Sequence, residues 1–454
     1  MPDEFNITSL PAFNEEWLNE TLPQYLRHAH EMNAAVDQIK ILYSRISPAE
    51  GTVLYERTSK NPDNTVHRQM YTGYLLPAGR LMEAYRKLQK SDPAAVLIKE
   101  ANLILLSFPN DRNMHLLLED ELEVWLQQHL PAFKYFRIIK ETRLEVLRYV
   151  PEKRFTARIR VEFQAEDGLE KEYTLIAKQF NKAEKARAYY QNLLALRQAW
   201  ASDLEAVSLW RLPRALAFDE TRAAVLVEDL PGKNLEQALP EIVLPEVMQA
   251  VGKMLADFHR TPVQVKKQVT RASELKEIRE INHIIAQDFP YLHPRLNQLF
   301  EQLQNARWQE MSTSMLLHGS FRLNHILIGK SGLALLDLDS LRMGNPAYDL
   351  ANFLASLYYL EEQQRLTADQ RQTIARYFLE GYFENTRGYI SSAAVLWFLS
   401  SLLLNKQALK YVTHFQKHRQ KKVERMVTIA EAALSKIAGI LTGSSLKELW
   451  KELP

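Results

Sequence analysis

Residues 316–350, LLHGSFRLNHILIGKSGLALLDLDSLRMGNPAYDL, constrain this chain more than any other stretch. Two apolar runs, 326–328 and 333–336, flank Gly329-Lys330-Ser331-Gly332, a spacing that predicts a tight β-hairpin. A hairpin returns the chain to the end where it began. The polar residues on either side therefore gather: His318, Ser320, Asn324 and His325 before it, Asp337 and Asp339 after it. A carboxylate just past a buried strand is placed to hold a metal ion.

The 454 residues suffice for two domains, or for one two-lobed unit with an appendage. With 46% hydrophobic and 25% charged residues, the composition is that of an ordinary globular protein. The 57 basic and 55 acidic residues nearly cancel, so no global field draws the chain to nucleic acid or to an anionic membrane. The absence of cysteine excludes disulfides, thiolate zinc sites and thiol catalysis. The acidic N-terminus lacks the apolar core of a signal peptide. The most apolar stretch, 393–404, is shorter than the roughly 20 residues of a spanning helix, so a soluble cytoplasmic protein is expected.

Along the chain, residues 1–38 read as helical, with Trp17, Leu18, Leu22, Tyr25 and Leu26 forming one apolar stripe. Strands are expected at 39–46, 52–58 and 66–74, then a helix at 81–88 and an apolar strand within 95–108. A second set repeats this layout, with strands at 144–149, 155–163 and 173–180 and a helix at 183–200. Duplication and coincidence both explain the likeness. Two more strands surround Asp219-Glu220. Helices follow at 247–260 and, beyond Asp349, at 351–360, 368–384, 392–411 and 423–441.

The hairpin resembles the catalytic hairpin of the aminoglycoside phosphotransferase and choline kinase group, small-molecule kinases with the protein-kinase fold. In that family the first strand follows His-Gly-Asp, four residues and Asn, and the second strand ends in Asp. This sequence keeps His318, Gly319, Asp337 and the trailing Asp349-Leu350-Ala351, but has Ser320 at the catalytic Asp and His325 at the Asn. Residues 225–232, VLVEDLPG, are similar to the family's lobe-linking segment, and His259-Arg260-Thr261-Pro262 to the end of its first C-lobe helix. The resemblance covers roughly 144–440. It implies an α+β fold with an antiparallel β N-lobe (141–230) and a helical C-lobe (231–454), behind an N-terminal β-rich extension (1–140).

The same resemblance implies ATP with Mg2+, or Mn2+, and a small hydroxylated metabolite as partners, without nucleic acid or membrane. Lys178 would meet the phosphates with Glu184 as the nearest helical partner, while Glu228 and Leu230 would border the adenine. Lys153 and Arg154 lie in a turn without glycine and would meet phosphate by charge rather than through backbone N–H groups. Asp337 and Asp339 would hold the metal. His325 offers imidazole, a poor ligand for magnesium but a better one for manganese. His318 would hydrogen-bond the loop, and Asp349 would brace it. Ser320 carries no charge at neutral pH, and losing one positioned base costs about 10²- to 10⁴-fold in rate. Three readings stay open: an impaired phosphotransferase, a pseudokinase-type binding or regulatory protein, and nucleotidyl transfer on the same fold. A basic run at 410–425 reads first as a solvated helix face.

Overall fold

The computed structural model describes residues 10–30, 36–47, 49–60, 65–130, 138–164, 169–201, 210–308, 311, 314–386, 390–437, 449–451 and 453–454. The chain divides into two compact units. One holds residues 1–187, 216–229 and 413–417, and the other holds 188–215, 230–412 and 418–454. Together they give the expected α+β class, with antiparallel sheets in the first part and helices in the last.

In the first unit, strands β1 (Val36–Ile46), β2 (Gly51–Lys60) and β3 (Val66–Leu75) form an antiparallel meander. Helix α1 (Leu22–His30) precedes it and α2 (Ala78–Ser91) follows. The long helix expected at the N-terminus is cut short, because Val36 to Gln38 pair with Lys60 to Thr58 as strand. Its apolar stripe survives: Leu18, Leu22 and Leu26 are buried against Ile39, Val53 and Leu103. The single strand expected in 95–108 is two, β4 (Val96–Ile98) and β5 (Leu103–Ser107). Asn102, in the left-handed region at φ 51, reverses the chain between them, a conformation that asparagine tolerates better than most residues.

A second meander follows helix α3 (Leu122–His129): β6 (Ile138–Val150), β7 (Arg154–Gln164) and β8 (Glu170–Phe180), then helix α4 (Ala183–Ala201). Strands β10 (Ala215–Asp219) and β11 (Ala224–Glu228) complete this sheet. The two sheets have the orders β1-β2-β3-β5-β4 and β6-β7-β8-β11-β10. Each is a meander, a helix, and a strand pair whose second member adds to the third meander strand. The likeness read from three strands therefore extends to five. Leu54, Met114, Leu116, Tyr149, Phe155 and Ala157 form one buried cluster with side chains from both sheets.

In the second unit, β9 (Trp210–Arg211), β12 (Lys233–Asn234), β14 (Ile326–Gly329) and β15 (Gly332–Leu335) form a small sheet containing the expected hairpin. Strand β13 (Met315–Leu317) pairs with β16 (Arg342–Gly344). The helices are α5 (Leu235–Ala238), α6 (Leu244–His259), α7 (Arg271–Asp288), α8 (His293–Asn305), α9 (Ala347–Glu362), α10 (Ala368–Glu384), α11 (Ser392–Leu402), α12 (Leu409–Thr413) and α13 (Arg419–Ser435). The helix expected at 392–411 is interrupted by a π turn at Leu403–Ala408. Every residue of α11 is buried, which explains why the most apolar stretch of the chain shows no amphipathic pattern. Among the described residues, no helix is long and apolar enough to cross a membrane.

The basic run is largely paired within the chain. Lys417 meets Glu15, Arg419 meets Asp288, and Arg425 meets Glu361 and Glu362. The expected turns at 61–64 and 166–168, Pro48, the start of the first helix and the end of the last lie outside the described residues.

Candidate active site

The candidate site is built on the loop between β13 and β14. After Leu317 the chain turns at Gly319, whose φ is 76. A β-carbon there would lie 2.2 Å from the Ser340 carbonyl oxygen, so only glycine fits. Asp349, in the first turn of α9 and fully buried, accepts the backbone N–H groups of His318 (2.6 Å) and Gly319 (2.8 Å). Its Oδ2 also lies 3.1 Å from His259 Nε2, and His259 Nδ1 lies 2.8 Å from the Tyr382 hydroxyl. Burial alone would push this carboxyl up. The His259 hydrogen bond, two nearby imidazoles and the Gly319 N–H more than offset that and hold it below the usual carboxylate range. The His259 motif, read in the sequence only as a helix ending, is part of this brace.

His318 joins the two ends of the hairpin. Its Nε2–H donates to the Leu336 carbonyl at 2.8 Å, which leaves the Nδ1 lone pair facing Ser320. The Ser320 N–H and Oγ each lie 3.3 Å from it. Burial lowers the His318 pKa below that of an ordinary imidazole, so the ring is neutral at pH 7. Leu336 precedes Asp337, so one ring ties Ser320 to the far end of the hairpin. Asp337 itself is in the left-handed region, at φ 60. Its Oδ2 lies 3.1 Å from His325 Nε2, the same atom that accepts from Arg322 Nε at 2.8 Å. Asp339 follows in the 3-10 turn Leu338–Ser340, and both carboxylates are within electrostatic reach of His318.

Two cations that the sequence reading passed over belong to this site. Lys406, in the π turn, donates to the Gly319 carbonyl at 2.9 Å and to Asn352 Oδ1 at 2.8 Å. Asn352 Nδ2 in turn donates to the Phe321 carbonyl at 2.8 Å. Burial, then the nearby Arg342 charge, pushes the Lys406 ammonium down to about 7, although Asp349 and Glu274 pull the other way. Arg342 donates to the Ser340 carbonyl and, through Nη1, to the Tyr348 hydroxyl, each at 3.2 Å. Neither position has a local sequence signal, because both are brought in by tertiary packing.

The remaining candidates lie in the first unit, apart from Leu230. Lys178 is buried in β8 between Thr156 and Val225, with Nζ 5.7 Å from the centre of the Phe180 ring. Glu184 is exposed in the first turn of α4. Glu228 ends β11 opposite Leu175, and Leu230 is buried two residues later. Lys153 sits in the β6–β7 turn, and Arg154 opens β7. This turn is pinned within the unit. Asp111 Oδ2 accepts the Glu152 N–H at 2.8 Å, and Glu152 Oε1 accepts from Arg112 at 2.5 Å and Asn113 at 2.8 Å. The backbone donor a phosphate would seek is already used.

Among the described residues, no three His, Asp or Glu side chains converge into a metal site. Two carboxylates at a hairpin end suit magnesium that is held mainly by nucleotide phosphates, rather than an ion caged by protein alone.

A family model described as the phosphotransferase enzyme family matches residues 159–389, just over half of the chain. This chain belongs to that family. No curated protein sequence matches it. Among solved structures, this chain resembles amicoumacin kinase hAmiN in complex with AMP-PNP, Ca2+ and Ami. That match is 13% identical with a TM-score of 0.45, and covers 69% of this chain and 96% of the other. Spectinomycin phosphotransferase, in complex with ADP and spectinomycin, is 12% identical with a TM-score of 0.44 and coverage of 72% and 99%. Choline kinase from Cryptosporidium parvum Iowa II is 12% identical with a TM-score of 0.44 and coverage of 71% and 95%. Family membership rests on the family model, whose span contains Lys178, the hairpin and Asp349.

Proposed function

We propose that this phosphotransferase-family chain moves the γ-phosphoryl group of ATP to a hydroxyl of a small metabolite, at a rate limited by the serine at position 320. The observation that carries this reading is the intact loop brace: Asp349 fixes the His318 and Gly319 N–H groups, and His318 ties Ser320 to the hairpin end that carries Asp337. Positioning and charge neutralisation supply most of the rate in phosphoryl transfer, and both survive the loss of a base.

The acceptor oxygen attacks the γ-phosphorus, the bond to the β–γ bridging oxygen breaks, and ADP leaves. The acceptor proton passes to Ser320 Oγ while the Ser320 proton passes to His318 Nδ1, the atom turned towards it. His318 is a weaker base here than a carboxylate at position 320, because burial disfavours its charged form. Asp337, supported by Asp339, would hold magnesium on the phosphates, and the metal would neutralise the developing charge. His325 Nε2 is then occupied by the Arg322 N–H, which leaves the metal to oxygen donors. Lys178 would meet the phosphates, Lys153 and Arg154 would add charge, and Glu228 and Leu230 would border the adenine.

A second reading, a nucleotide-binding protein without turnover, is favoured by Ser320 alone. ATP-induced thermal stabilisation and ADP release, each measured with Mg2+ and with Mn2+, separate the two. The proposal expects both signals, and expects Asp337→Ala to abolish the metal-dependent part of each while keeping the fold. Stabilisation without ADP release for any hydroxylated acceptor establishes the second reading. An unchanged signal in Asp337→Ala places the ion elsewhere.

A further inference from the structure

We infer that the acceptor of this phosphotransferase is an anion, a hydroxyl compound that also carries a carboxylate or phosphate, held by Arg342 and Lys406 beside Ser320. The inference rests on the proposed function and names the substrate class of that same site.

Lys406 Nζ and Arg342 both approach Gly319, the residue before Ser320. Lys406 donates to its carbonyl, while a β-carbon placed on Gly319 would lie 2.7 Å from Arg342 Nε. The same two cations lie over the Tyr348 ring, 5.0 Å and 5.2 Å from its centre. Arg322, two residues after Ser320, adds a third charge within electrostatic reach of Lys406. Ser320, Arg322 and Arg342 are half-buried, while the Lys406 ammonium is held out of water.

Among the described residues, no carboxylate forms an ion pair with Arg342 or Lys406, whereas Arg295, Arg371 and Arg425 elsewhere in this unit are each paired with glutamate. The acids that face Lys406 are committed. Asp349 is bonded to His318, Gly319 and His259, and Glu274 Oε2 accepts from Ser401 at 2.8 Å and Asn405 at 2.9 Å. Arg342 and Lys406 carry like charge, and these two committed acids offset only part of it. The Lys406 ammonium is disfavoured first by burial and then by the Arg342 charge. A carboxylate or phosphate bound at the two groups would offset their repulsion, with an arginine fork and a lysine point charge as donors. A cationic amino alcohol meets repulsion at the same place.

The test is calorimetric titration of the whole protein with glycerate, glycerol 3-phosphate, glycerol and ethanolamine, without nucleotide, alongside a separate titration with ATP and Mg2+. At least one of the two anions is expected to bind tenfold or more tighter than glycerol and ethanolamine, and the glycerate and phosphate arms decide which anion the site takes. Arg342→Gln and Lys406→Gln keep hydrogen-bond donors and are expected to lose about tenfold or more in that affinity, with Arg342→Lys retaining part of it. Because the anion favours the charged lysine, binding near pH 8 is also expected to take up protons, read from the dependence of heat on buffer. This readout needs no variant. Equal binding of glycerol or ethanolamine, no proton uptake, or full affinity in both glutamine variants overturns the inference. Anion binding without ATP binding rejects the phosphotransfer reading but keeps the site. Phosphorylation of ethanolamine and not of glycerate or glycerol 3-phosphate keeps the reading and rejects the site.

Discussion

Serine at position 320 changes what the loop can do with a proton, yet its surroundings still suit a carboxylate. Arg322, Arg342 and Lys406 lie near it, and the residue is half-buried rather than sealed. The variant Ser320→Asp with His325→Asn restores an ionised base and an oxygen ligand, and is expected to raise ATP-dependent transfer by about 10²-fold. Its melting temperature should not fall, because the new charge meets cations. A steep loss of stability without activity would show that the site has been repacked for another role. The second residue-scale prediction concerns Asp349→Asn. It leaves two backbone N–H groups and His259 facing a neutral amide, and is expected to cost about 3 kcal/mol in denaturant unfolding. The sign of its pH dependence follows from the lowered pKa. A carboxyl held below its unfolded value of about 3.9 contributes stability above that pH and loses it as pH falls through the lower, folded value. The Asn variant should therefore show a shallower acid limb than the wild type.

At the scale of elements, the brace depends on two helices that approach closely. A β-carbon on Gly252 of α6 would lie 2.2 Å from the Phe378 carbonyl oxygen of α10, and one on Gly381 of α10 would lie 2.2 Å from the Gln249 carbonyl oxygen of α6. This backbone approach carries His259, at the end of α6, to Tyr382 on α10. Gly252→Ala must push the helices apart, since backbone cannot swing aside as a side chain does. The expected cost is about 3 kcal/mol in denaturant unfolding, at the upper end of overpacking changes. The histidine proton signals should shift as the His259–Tyr382 bond lengthens. An alanine variant with wild-type stability and an unchanged His259 signal would refute the close packing. The sequence reading saw α6 as an amphipathic helix and gave Gly252 no weight, because a glycine's use inside a helix depends on what packs against it.

For the whole molecule, buried bases and buried phenols bound the stability curve from two sides. Lys406 has a folded pKa near 7, so between about pH 7 and its unfolded value of about 10.4 the unfolded chain holds more protons, and stability rises with pH. The phenols of Tyr55, Tyr74, Tyr149, Tyr348 and Tyr382 are pushed up by burial, so above about pH 10 the unfolded chain sheds protons that the folded one keeps, and stability falls. Urea midpoints measured from pH 6 to 11 should therefore pass through a maximum between these limits. Lys406→Met should flatten the rising side and leave the fall above pH 10 in place. A rise of equal slope in the variant would assign it to other groups.

Local pattern was enough to determine the α+β class, both three-stranded meanders, the hairpin at Gly329–Gly332 and most of the helices, because periodicity and turn chemistry act over a few residues. The hairpin pattern also gathered His318, Ser320 and Asp337, and the resemblance to the family's motif added Asp349. What the sequence left undecided involves partners far apart along the chain. The break at Asn102 and the π turn at Leu403–Ala408 override helix and strand patterns that look uniform locally. The extra strand pair that makes the two sheets alike, the pinning of Glu152 by Asp111 and Arg112, and the arrival of Arg342 and Lys406 at Gly319 leave no mark on neighbouring residues. Only the folded chain sets those distances, and with them the charge that a substrate meets beside Ser320.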